Sequence, residues 1–489
     1  MPTTRSRAKQ SRLPEIGQQV GVNRLPPEIL SRVFVICDHT WDPLDGGWQA
    51  FGCQTVLPAV CNYWRQVALD TTALWTKVTL LDRPPWHFSR VCLARAGPTA
   101  LLDIDLDMEE DFWADTENGT LDELAERAED ALDFIVTHGG VPSRWRSFSM
   151  TTDVFLAQLA AMKLFGKSSF PSLVSIEMRF TGPYEFDDED AFTLGEHIEL
   201  PPKLLFKEPP PQLRSIKLQG VPGSYLFGHP AHPQFIALTH LELRFEVRYH
   251  SLTDFNKLLA ANPGLESIFL ELGDADRGVK VEKERLPKVD LPKLHTLSCV
   301  DVASPLWALH VIMMLDAPNI ISFELTLGIS SYQRHREQVG IQKLLDHIIG
   351  DQSLPNPEPR FPSLRSLTLA SEMQLGSEHI IATVLAAYPQ LTDLRLPGCP
   401  SLMPLLQRPW LAPGIERLRV GVSNLVQLKK VVNSRCKAGL PLRTVLVDHL
   451  ELQVRVKPSD RDQLRKYVDF ALVLDDGERI DDKDDYYLA

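Results

Sequence analysis

Residues Phe361–Leu369 read FPSLRSLTL, and the spacing of proline and apolar residues in this stretch recurs along most of the chain. Pro362 stands two residues ahead of Leu364, Leu367 follows after three and Leu369 after two. The pattern is Pro-x-apolar-x-x-apolar-x-apolar. Its proline-bearing copies begin at Pro171, Pro211, Pro263, Pro292, Pro318, Pro362, Pro389 and Pro413. Looser copies start at Leu101, Trp145, Leu238 and Leu442, and most successive first positions are 24 to 29 residues apart. The last two apolar residues of each copy are two apart and therefore share one face of a strand, with the proline marking its entry. Between copies the period changes. Ile380, Ile381, Val384 and Leu385 form one helical stripe within Ser377–Tyr388, as do Phe255, Leu258 and Leu259 within Ser251–Ala261. Each unit is thus one strand plus one helix, and such a unit buries its apolar face only by stacking on its neighbours.

A strand-plus-helix unit of this period resembles the leucine-rich repeat. That repeat places Asn or Cys three residues after the last leucine, to bond turn backbone groups; here only Cys399, after Leu396, holds the position. Without the ladder, repeats irregular in length and pitch are expected. The fixed phase of proline to leucine argues against an ordinary α/β domain with scattered leucines.

The chain of 489 residues exceeds one ordinary core, and its 44% apolar and 24% charged content suits a globular protein. The first twenty residues hold no apolar signal core and no apolar run reaches a membrane span, so a cytoplasmic or nuclear protein with no membrane partner is expected. Seven cysteines, odd in number and never paired as C-x-x-C, point to reduced thiols rather than zinc or disulfides. The net charge of −13 is concentrated: residues 103–130 carry thirteen acids against one Arg, and 475–485 carry seven acids against two bases. No basic stripe marks a nucleic-acid binder.

Residues 1–22 form a basic leader with Arg5, Arg7, Lys9 and Arg12, read either as a solvated tail or as an import or phosphate-binding segment. From Asn23 the chain becomes helical. Ile29, Leu30, Val33, Phe34 and Cys37 lie on one stripe, with Pro27 and Glu28 suiting a first turn. A polar, Gly-containing excursion, Asp38 to Gln54, interrupts it; then Leu57, Val60, Cys61, Trp64, Val67 and Ala68 form a second stripe, closed by Leu74 and Trp75. So small a helical unit barely buries its own core, which calls for a partner.

The segments LPPEIL, VLPAVCNYWRQVAL and ALW resemble the F-box, and LARAGPTALLDIDLD at 93–107 is similar to the fungal F-box proteins with leucine-rich repeats. The F-box likeness covers residues 24–81. It implies docking on a Skp-type adaptor, and through it a cullin, by Leu25, Pro26, Ile29, Leu30, Val33, Phe34, Leu57, Val60, Trp64, Leu74 and Trp75. The expected fold is α/β: a small three-helix F-box at 23–81, a connector at 82–97, then at 98–474 an irregular leucine-rich-repeat solenoid with a parallel sheet on its concave face. An acidic tail, 475–489, ends the chain. The function implied is that of a substrate receptor of an SCF-type ubiquitin ligase, itself not an enzyme; a scaffold without ligase role is the alternative.

Within the repeats, Thr120–His138 carries a capping-box pattern and a helical stripe stopped by Gly139. Asp103, Asp105 and Asp107 alternate onto one strand face, either as solvated charges or as a cation site lacking the calcium-loop glycine and glutamate. If Leu394, Leu396, Leu418 and Val420 face the core, Arg395, Arg417 and Arg419 share the opposite face. There they either clamp an acidic or phosphorylated substrate segment or keep the surface soluble, with Asp393 neutralising one of them. Asp460 to Leu472 reads as a final helix. Gly166-Lys167-Ser168 ends like a phosphate loop, but Ala161 stands where its first glycine is required. No G-x-S-x-G occurs, the histidines form no metal-spaced set, and neither cofactor nor metal is expected.

Overall fold

The repeated triplets become strands because each ends in two apolar residues that must point the same way. In the computed structural model, residues 25–40, 52–80, 83–113, 120–182, 203–227, 233–245, 251–273, 286–328, 334–350, 358–371, 378–398, 401–421, 425–448, 458–474 and 479 are described. The first strands are β1 (Lys77–Thr79), β2 (Leu102–Met108), β3 (Trp145–Thr152), β4 (Ser175–Phe180), β5 (Ser215–Gln219) and β6 (His240–Phe245). Next come β7 (Ser267–Leu272), β8 (Val289–Asp290), β9 (Thr296–Val300), β10 (Leu315–Asp316) and β11 (Ser322–Leu327). The last are β12 (Ser366–Ser371), β13 (Asp393–Leu396), β14 (Arg417–Val420), β15 (Thr444–Asp448) and β16 (Asp469–Val473). Among the described residues fourteen of these form one sheet in chain order, every pairing parallel, while β8 and β10 pair separately. Parallel neighbours need a crossover of a dozen residues or more, which the period of the sequence supplies.

Every member of the twelve triplets is buried except Leu101, which is 41% exposed. The register shifts between Leu102 and Asp103, so Leu102 takes the inner place opposite Trp145. Two strands lie where the sequence pattern predicts helices. β1, inside the stretch assigned to helices, carries Val78, with buried Trp75 before it and Leu80 after it at the triplet spacing. At the other end the expected helix to Leu472 is corrected: it spans Pro458–Arg465, and the chain then enters β16. The reason is the open edge of β15, whose backbone groups β16 satisfies over its whole length. The connector also gains a helix, His87–Arg95.

Thr120 caps the helix Leu121–Thr137 as its sequence requires: its hydroxyl accepts from Glu123 N at 3.4 Å, and Glu123 accepts from Thr120 N at 2.8 Å. Gly139, at φ 101, turns the chain away. Cys399 lies outside the described residues, as does 41–51, the bulk of the Asp38–Gln54 excursion; its flanks are helical through Thr40 and from Cys53.

The missing Asn/Cys ladder is replaced by scattered polar side chains that reach back to the preceding turn. Fully buried Asn262 accepts from Leu238 N at 2.8 Å and donates to Phe235 O at 3.1 Å and Leu258 O at 2.8 Å. Arg144 donates to Gly97 O, Ala100 O and Gly139 O at 2.6, 2.8 and 2.6 Å. Gln234 accepts from Phe206 N at 2.9 Å, and Arg435 donates to Ala412 O and Pro413 O at 3.2 and 2.9 Å. Burial pushes the guanidinium pKa of both Arg144 and Arg435 down. Among the described residues no helix is long and apolar enough to cross a membrane.

Asn262→Ala leaves one backbone N–H and two carbonyls buried without partners, a loss of about 1–3 kcal/mol. Exposed Asn319, which donates to Pro292 O at 2.8 Å, is a control whose replacement by Ala costs less. Urea unfolding midpoints of the two variants measure the difference.

Candidate functional site

At the start of the described chain, three short helices pack into one unit: α1 (Pro27–Thr40), α2 (Cys53–Val60) and α3 (Asn62–Asp70). Pro26 O accepts the first bonds of α1, from Ile29 N and Leu30 N at 3.0 Å each, and Glu28 sits in the first turn where the helix dipole favours an acid. Cys61 is extended and separates α2 from α3, its Sγ accepting from Trp64 N at 3.4 Å. Inside the unit, Leu30 and Phe34 are 0% exposed and the Phe34 ring lies 5.0 Å from that of Trp64. Tyr63 donates to Leu25 O at 2.6 Å, and Trp75 Nε1 donates to Ala68 O at 2.8 Å. Gln54 Nε2 donates to Leu74 O and Lys77 O at 2.9 and 3.0 Å, which ties α2 to β1 and so to the sheet. Burial, with Asp38 and Cys37 nearby, pushes the Cys53 thiol up to about 11.

Of the residues expected to form an adaptor surface, Pro26, Ile29, Val33 and Val60 are exposed, and Leu25 and Trp64 are half-buried. Leu30, Phe34, Leu57, Leu74 and Trp75 are instead core. This division follows from helix geometry. The apolar stripe of α1 is wider than one contact face, so Leu30 and Phe34 turn inward while Ile29 and Val33, one position earlier, turn outward. Ile36, 61% exposed, continues the outer stripe, and Val56 joins Val60 one turn away on α2. Both were missed, although their spacing of seven from Ile29 and four from Val60 is visible in the sequence.

The second candidate is the exposed face of the long sheet. Register sets Asp393 beside Arg417 and Arg395 beside Arg419, so the three arginines share that face. Arg417 is bound to Asp393, with Nη2 to Oδ2 at 2.7 Å, a hydrogen bond that raises its pKa. Arg419 donates to Asp448 at 2.6 Å and to Leu474 O at 2.9 Å. Arg395 is exposed and free of ion pairs among the described residues. Asp448 sits on the next strand, where β15 lies beside β14, so its role as a counter-ion could be read only once pairing was known.

Towards the N-terminal end of the sheet, charges are likewise matched: Lys77 with Asp105 at 3.0 Å, Arg146 with Asp103 and Lys217 with Glu177 at 3.5 Å across strands, and Arg179 with Glu177 at 3.1 Å within β4. Asp103 and Asp105 of the aspartate row on β2 therefore meet bases of its neighbours. Among the described residues there is no group of three His, Cys, Asp or Glu placed to share a metal ion. Gly166 and Lys167 close the helix Phe155–Lys167, whereas a phosphate loop must open one. Comparison of the sequence with models of protein families and with curated proteins finds no match.

Arg419→Ala strands the Asp448 carboxylate, whose side chain is 3% exposed, and is expected to cost about 3 kcal/mol or more. Arg417→Ala removes an exposed pair and should cost less than about 1 kcal/mol. Chemical unfolding of the two variants checks this ordering; equal losses would remove the structural role assigned to Arg419.

Proposed function

We propose that the chain is a substrate-receptor subunit of an SCF-type ubiquitin ligase, with residues 23–81 acting as an F-box on a Skp-type adaptor. The observation that carries this reading is the doubled apolar stripe of α1 and α2. One stripe fills the core of the unit, and Ile29, Val33, Ile36, Val56 and Val60 remain outside. Five large aliphatic side chains turned to solvent on so small a unit mark a contact surface. The sequence likeness of LPPEIL and VLPAVCNYWRQVAL to the F-box supplies the partner.

In this reading the parallel sheet is the inner face of a leucine-rich-repeat solenoid that presents a protein target, and catalysis belongs to other subunits. The receptor contributes proximity, holding target lysines near the transferred ubiquitin. Among the described residues, matched charges on the sheet face leave no basic stripe for nucleic acid.

The test is a triple variant, Ile29→Asp, Val33→Asp and Val60→Asp, at positions whose exposure spares the core. Adaptor affinity is expected to fall by about 2 kcal/mol or more in a titration with purified adaptor, with unchanged melting. Leu30→Ala with Phe34→Ala should instead lower the melting temperature, since both side chains are core. Full adaptor affinity in the folded triple variant sinks the docking assignment. Adaptor binding without cullin recruitment or ubiquitin transfer leaves the scaffold function in its place.

A further inference from the structure

The exposed positions of a parallel sheet line up in rows across the strands, and one row changes character in the middle of the sheet. Register places Phe269, Ser298, Glu324, Thr368 and Arg395 side by side on β7, β9, β11, β12 and β13. The rows flanking it there are mostly short: Ser267, Thr296, Ser322 and Ser366, ending in Asp393, on one side, and Val300 and Thr326, preceded by Glu271, on the other. Glu271 is held by Arg244 and Asp393 by Arg417, so Phe269, Glu324 and Arg395 are the large side chains of this section that stand outside its ion pairs.

Each of the three is available for a different contact. Phe269 is half-buried, and the Arg244 guanidinium lies 5.1 Å from its ring centroid. Arg244 is itself held by Glu242 at 2.9 Å and Glu271 at 2.7 Å, which fixes the ring from the β6 side. On the other side its neighbour in the row is only Ser298. Glu324 and Arg395 stand two strands apart with Thr368 between them, about 10 Å at the usual strand spacing. No ion pair joins them, and neither has an ion-pair or hydrogen-bond partner for its side chain among the described residues. Elsewhere on the sheet face the bases on β1, β3 to β6 and β14 are matched by acids.

We infer that this central section, from β7 to β13, docks an extended segment of a partner protein that carries an apolar, a basic and an acidic side chain at intervals of about three residues. The occupant is set by charge complementarity: a base for Glu324, an acid for Arg395, and an apolar group against Phe269. The interval follows from geometry, because two strand spacings of about 10 Å equal about three residues of extended chain laid across the strands. A uniformly acidic or phosphorylated segment would meet Glu324 and a nucleic acid would meet Glu242 and Glu271 as well, so both are disfavoured. The inference deepens the receptor reading by giving the chemistry of the target segment and rests on that reading only for the fate of the bound protein.

A phage-displayed library of linear peptides, selected in parallel on the full-length wild-type chain and on Glu324→Lys/Arg395→Glu, tests it. The wild type should enrich peptides with Lys or Arg about three residues from Asp or Glu and an apolar residue on the basic side. The double variant should enrich the same spacing with the two signs exchanged. Fluorescence anisotropy of an enriched wild-type peptide should show about tenfold weaker binding to either single charge reversal. Phe269→Ala should raise the Kd without altering the sign preference. No enrichment, uniformly acidic or phosphate-dependent peptides, or the same peptides from both proteins would overturn the proposal. Adaptor titration of the same double variant keeps the two readings apart. Retained adaptor binding with failed peptide exchange refutes this surface alone, and peptide exchange without adaptor binding refutes the ligase assembly alone.

Discussion

The structure depends on pairing each strand, in parallel, with the strand of the next unit. A single triplet such as Leu364, Leu367 and Leu369 buries little by itself, and the backbone of β12 is satisfied only because β11 and β13 lie on either side. Stability is therefore passed along the chain from neighbour to neighbour, and the two ends are where it can fail. At the first end β1 is only three residues long, its Lys77 carbonyl accepts from Gln54, and the three-helix unit packs beside it. At the last, β16 covers β15, an antiparallel bridge joins Val473 to Arg479, and Arg479 pairs with Asp469 at 2.6 Å. Short, capped and charged edges of this kind keep a parallel sheet from extending into another molecule.

The same pairing divides the side chains between two tasks. Alternation sends the triplet residues into the core and leaves every second position of each strand outside. Where those outer positions carry opposite charges on one strand or on adjacent strands, the sheet neutralises itself, as Arg244 does between Glu242 on its own strand and Glu271 on the next. Such half-exposed pairs contribute little stability each. Their importance is subtractive, because they remove most of the surface from consideration and leave Glu324, Arg395 and Phe269. The helical unit shows the corresponding division on α1, where adjacent residues Ile29 and Leu30 face outward and inward.

Buried polar groups set the limits of regularity. Asn262 satisfies three backbone groups from one position, whereas Arg435, fully buried, leaves Nε and Nη1 without hydrogen-bond partners among the described residues. These residues recur at neither a fixed place nor a fixed spacing, so repeat lengths drift with whichever side chain reaches the preceding turn.

Much of the architecture was legible in the sequence alone, because burial of a strand face and the period of a helix are local patterns. The triplets from Trp145 to Val447, the capped helix after Thr120 and the inward side of β13 and β14 could be read residue by residue. What the tertiary structure alone decided was everything set by partners distant in the chain. Leu101 yields to Leu102 through a shift in strand register; Phe470 and Leu472 join a strand because β15 offers an open edge; Leu30 and Phe34 turn inward because α3 and the turn after it lie there. Asp448, twenty-nine residues from Arg419, becomes its counter-ion only through the pairing of β14 with β15. Periodicity states which residues share a face, but only packing against the rest of the chain determines which face is covered and which charges are left unpaired.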